Sequence, residues 1–106
     1  MHEKKAAATA LHMLAMERVH QTEDDEYDPE QDDVYHESQL ARAAACYALP
    51  ESRRTYTGLS DDRGVPTNWP WLPSYWKPTP DDRLRELQKA GGLILAEMER
   101  ILRAEH

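Results

Sequence analysis

The chain is 106 residues long, 40% hydrophobic and 31% charged, with a net charge of −7 and a mean hydropathy of −0.87. That describes one small domain with a modest core, and its acidity argues against direct binding to a nucleic-acid backbone. The single cysteine, Cys46, rules out an internal disulfide and fits a reducing cytoplasm, and no apolar run is long enough to span a bilayer.

The N-terminus, Met1 to Lys5 followed by alanines, has the outline of a signal peptide. His12, Glu17, Arg18 and His20 break its apolar region, so residues 3–20 are predicted to be a helix instead. Ala7, Leu11, Leu14, Ala15 and Val19 form its apolar stripe, with Glu17, Arg18 and Gln21 turned the other way. Residues 22–37 lose the pattern. They carry nine acidic side chains around Pro29 and no Lys or Arg, which predicts an acidic loop.

A second helix is predicted over residues 38–49, with Ser38 as its cap and Pro50 as its stop. Leu40, Ala44, Tyr47 and Ala48 supply its buried face, and Cys46 packs as a small apolar residue. Four prolines and two glycines then preclude a long helix before Thr79. In residues 65–79 the aromatics Trp69, Trp71, Tyr75 and Trp76 argue for an ordered lid over the core.

The last helix is predicted over residues 80–104. Thr79 caps it, Pro80 opens it, and Asp81 and Asp82 favour its positive end. Leu84, Leu87, Gly91, Ile94, Met98 and Ile101 recur every three or four residues and are expected to face the fold. Leu93 to Ala96 make one turn apolar all round, and Gly91 and Gly92 before it imply close approach of another helix. Gly92, Leu93 and Ala96 are therefore the expected interface of a homo-oligomer. The fold class is all-α: three helices, with a long Trp- and Pro-rich connection before the last.

Six blocks carry a resemblance. They are Met16-Glu17-Arg18-Val19-His20-Gln21, Pro29-Glu30-Gln31-Asp32-Asp33, residues 40–48 (Leu-Ala-Arg-Ala-Ala-Ala-Cys-Tyr-Ala), Trp69-Pro70-Trp71, Trp76-Lys77-Pro78 and residues 89–100. In this order they resemble a family of short proteins encoded by bacteriophages and prophages. The chain departs from the family's usual form at Glu26-Tyr27 (Gly-Trp in the family), Gln31 (His) and Ser38-Gln39 (Gly-Glu). The resemblance implies a viral origin, residence in a host bacterial cytoplasm and an accessory role. It implies no reaction.

Three constellations bear on chemistry. Asp32, Asp33 and His36, with His20, are candidate ligands for a divalent metal, but the EF-hand spacing and its glycine are missing. Read as a solvated acidic loop, Asp24, Asp25, Asp32 and Asp33 suit a basic protein partner. Trp71, Trp76, Lys77 and Arg83 are the candidate site for a nucleotide-like ligand, by stacking and phosphate contact, with Arg53 and Arg54 also in reach. The helix order loosely resembles a MazG-like, Mg²⁺-dependent nucleotide pyrophosphohydrolase, yet Glu97 and Glu99 lie two apart on different faces and arginines follow. The leading expectation is a non-enzymatic, cofactor-free binding protein that inhibits or redirects a host defence or regulatory system. It would do so by occupying a protein surface or sequestering a nucleotide-like ligand; the pyrophosphohydrolase is the alternative.

Overall fold

The computed structural model describes residues 2–23, 38–56 and 64–105. Among them are three α-helices, α1 (His2–Glu23), α2 (Gln39–Ala48) and α3 (Arg83–Ala104), and no strand. The predicted all-α fold is what forms. The acidic segment from Asp24 to Glu37, including Asp25, Asp32, Asp33 and His36, lies outside the described residues.

Local chemistry sets the helix ends. Ser38 precedes α2 in the left-handed region (φ 71°), and its hydroxyl makes no capping bond, contrary to expectation. Leu49 is extended ahead of Pro50, as the proline ring requires. α3 starts later than Thr79 and Pro80 predicted, because Asp82 is the residue whose carboxylate accepts from the Arg85 amide, at 3.1 Å.

α2 packs on α3. Leu40, Ala43, Ala44, Cys46 and Tyr47 meet Ala90, Leu93 and Ala96 in one apolar cluster, closed by Trp69 and Trp76. Alanines on both helices let the backbones come close. Tyr47 stacks on Trp76 at 4.6 Å and meets Trp69 edge-on at 5.7 Å. The aromatic segment is a lid over the core.

α1 crosses α3 at the glycine pair. A Cβ on Gly91 would collide with the Leu14 side chain, and one on Gly92 would come within 2.6 Å of Gln21 Nε2. The close approach inferred from these glycines is thus made within one chain. Glu17 reaches Arg85 while its neighbour Arg18 reaches Glu99, positions separated by about 21 Å of helix. Two adjacent residues reaching opposite ways along α3 mark a steep crossing.

Both predicted stripes are corrected by this arrangement. Glu17, Arg18 and Gln21 are the buried face of α1, while Leu11 and Val19 are exposed. On α3 the buried residues are Glu86, Ala90, Gly92, Leu93 and Ala96. Leu84, Leu87, Ile94, Met98 and Ile101, expected to face the core, point outward at 42–56% exposure. Gly92, Leu93 and Ala96, expected to meet a second copy, instead fill the core of their own chain. The physical reason is volume: a core built on α2's alanines accepts the small residues of α3, and its bulky stripe is left on the far side.

Candidate functional site

Beneath the lid lies a charged cluster. Arg54, just after the 3₁₀ turn Glu51–Arg53, is 7% exposed, and its Nε donates to the Cys46 carbonyl at 2.8 Å. Its guanidinium sits 5.0 Å from the Trp76 ring centroid. Nη2 lies 2.8 Å from Glu86 Oε1, an ion pair without hydrogen-bond alignment, and Nη1 has no hydrogen-bond partner among the described residues. Glu86 also accepts from Arg83 Nη1 at 3.3 Å and from the Thr79 amide at 3.1 Å. Arg83 in turn donates to the carbonyls of Tyr47 and Ala48 at the end of α2. A cation on terminal carbonyls complements the negative end of that helix.

This cluster ties the lid to the bundle. Lys77 donates its amide to Tyr47 Oη at 3.1 Å, and Lys89 Nζ donates to the Lys77 carbonyl at 2.6 Å. The Trp69 indole donates to the Leu72 carbonyl. An open cleft of about 590 Å³ runs along the outer edge, lined by Arg54, Tyr56, Val65, Pro73, Trp76 and Pro80 among others. Its size is that of a ligand pocket.

The predicted ligand set is divided by this geometry. Trp76 lines the cleft, but it is 9% exposed and held by Tyr47, Trp69 and Arg54, so its ring has little face left for a base. Arg83 is spent on α2's carbonyls and Glu86. Trp71 packs edge-on to Trp69 at 5.3 Å, and the Lys77 side chain is at the surface. Trp76 and Arg83 thus both make contacts within the fold, and Trp76 lines the cleft at its edge. Sequence reasoning missed Glu86, although its spacing to Ala90 and Leu93 places it on the face that turned out to be buried.

The carboxylates of α3 are engaged too. Glu97 pairs with Arg100 at 2.6 Å, and Glu99 accepts two bonds from Arg18 at 2.8 and 3.1 Å. Among the described residues no three His, Cys, Asp or Glu converge as metal ligands. No helix of the described chain is long and apolar enough to cross a membrane.

Besides the cleft, the chain presents an apolar surface. The outward stripe of α3 carries Leu84, Leu87, Ile94, Met98, Ile101 and Leu102, all exposed. Compared with protein-family models, with curated proteins and with solved structures, the chain matches none.

Proposed function

We propose that the chain is a phage-encoded accessory protein that acts by protein–protein contact, inhibiting or redirecting a host defence or regulatory system. The observation that supports this reading is the outward stripe of α3. Isolated exposed leucines are ordinary, but a row of them along a whole helix is the mark of a surface meant for another protein chain. Two groups a nucleotide site would draw on, Trp76 and Arg83, are engaged by contacts within the chain. Protein contact is therefore favoured over ligand sequestration, and over a MazG-like pyrophosphohydrolase because Glu97 and Glu99 are held by Arg100 and Arg18. The acidic residues Asp24, Asp25, Asp32 and Asp33 would steer the complex towards a basic target surface by long-range attraction.

The test is site-specific crosslinking in host cells. A photoreactive residue in place of Met98 is expected to capture protein, while one in place of Ser74, in the cleft, is not. Equal capture from both positions would count against the reading. So would Mg²⁺-dependent hydrolysis of nucleoside triphosphates that is abolished by Asp32→Ala with Asp33→Ala.

A further inference from the structure

We infer that the cleft along the lid is a binding site for a small carboxylic acid with an apolar body, held through its carboxylate by Arg54 Nη1. The site shares no residue with the α3 stripe, so it stands independently of the protein-contact reading.

The observation that carries it is an unmade set of bonds. The Arg54 side chain is only 1% exposed. Its Nε is used on the Cys46 carbonyl and its Nη2 on the ion pair with Glu86, while Nη1 has no acceptor among the described residues. Water cannot supply one, because less than 1 Å² of Nη1 is accessible. A buried charged donor without an acceptor is costly, and a purely structural role for Arg54 is met by Nε and Nη2 alone.

Charge selects the class of ligand. Arg54 and Arg83 both meet Glu86, so two positive charges share one negative charge and the cluster keeps a surplus of one. A single carboxylate matches that surplus, and guanidinium–carboxylate bonds are among the strong ones. Arg54 is the one cation in the described lining of the cleft, and Glu51 is its one anion. The second charge of a phosphate would meet Glu51 with no second cation to offset it.

Shape selects the rest. The cleft holds about 590 Å³, within the range of small-molecule pockets. Around Arg54 its lining is Tyr56, Val65, Pro73, Trp76 and Pro78, and the proline nitrogens carry no proton to donate. The frame is tied by backbone bonds. The Thr67 amide donates to the Thr55 carbonyl at 2.8 Å beside the Tyr56–Pro66 bridge, and the Trp76 amide donates to the Pro73 carbonyl at 3.1 Å. An apolar body thus rests on a fixed surface while its carboxylate turns inward to Nη1. Reaching Nη1 takes a side-chain rotation in the lining, an ordinary scale of change on binding.

Phenylacetate titrated into the full chain tests this, followed by nitrogen–proton correlation spectra that include the arginine Nε and tryptophan indole signals. Saturable shifts of the Arg54 and Trp76 signals are expected, with a dissociation constant on the order of 1 mM or tighter. The neutral amide phenylacetamide is expected to bind about 10-fold more weakly, and phenyl phosphate likewise. Ser74 is an exposed residue of the lining. Ser74→Glu should therefore weaken phenylacetate binding on the order of 10-fold and Ser74→Lys should tighten it, with the thermal melt unchanged. No shifts at about 10 mM phenylacetate, or equal shifts from the amide, overturn the site. Tighter binding of phenyl phosphate overturns the choice of a carboxylate, and binding indifferent to charge at position 74 overturns its placement in the cleft. None of these results bears on capture at position 98, so failure here leaves the protein-contact reading to its own test.

Discussion

Arg54 and Glu86 form an ion pair in which each side chain is only 1% exposed, 2.8 Å apart, at the junction of the lid, α2 and α3. Desolvating two charges is costly, and the pair is tolerated because Glu86 also satisfies Arg83 and the Thr79 amide while Arg54 stacks on Trp76. Removing one partner strands the other. Glu86→Ala is predicted to destabilise the chain by about 3–5 kcal/mol. Arg54→Met combined with Glu86→Leu should recover much of that loss, since no unpaired charge is then left in the interior. Urea unfolding followed by tryptophan fluorescence measures both. A single variant as stable as wild type would show that the pair is not buried as described.

The glycine pair makes a prediction opposite to helix propensity. Replacing a helical glycine by a larger residue ordinarily gains about 1 kcal/mol. At Gly92 the added atoms would meet Gln21 first, 2.6 Å from the new Cβ. Gly92→Leu is predicted to push α1 off α3 and to break the Arg18–Glu99 bonds with it. Hydrogen exchange should then show α1 amides losing protection, while the α2–α3 unit keeps its tryptophan emission. Uniform protection in the variant would place α1 elsewhere.

Much of the fold was legible because helices are written in local pattern. Leu40, Ala44 and Tyr47 on α2, its stop at Pro50 and the aromatic lid followed from spacing and side-chain volume, whereas Ala48, expected on the same buried face, is exposed. The facing of α1 and α3 did not. Each helix carries a small or polar face and a bulky apolar one, and periodicity finds both without saying which meets the core. The bulky stripe was the natural choice, yet Leu93, Ala90 and Ala96 are what fits against Ala43 and Ala44. Glu86 was illegible for a related reason. A lone acid on a helix reads as solvated until its partner, Arg54, arrives from 32 residues earlier in the chain.

Cys46 is buried on α2, and its thiol is pushed above its ordinary value by desolvation, an effect that Arg54 and Arg42 only partly oppose. The folded chain thus favours the neutral thiol. The sign follows: the associated stability is complete below the thiol's unfolded value and declines as pH rises above it. Alkylation of native protein at mildly alkaline pH is predicted to be slow and to become rapid in urea. Fast labelling of the folded chain would contradict this burial.

Neighbouring residues on α3 give the sharpest contrast. Leu93 is 1% exposed and Ile94 is 49% exposed, one step and about 100° apart on the same helix. Leu93→Glu places a charge between α2 and α3 with no partner, a loss of several kcal/mol that a chain this small cannot absorb. Ile94→Glu places the same charge in water on the folded chain. The first variant is therefore predicted to unfold, or to melt far below wild type, and the second to keep its secondary structure and its two-state melt. Only the second can report on association, because only its fold survives the change. If both variants melt alike, the outward stripe is part of the core after all, and the facing of α3 would have to be reversed.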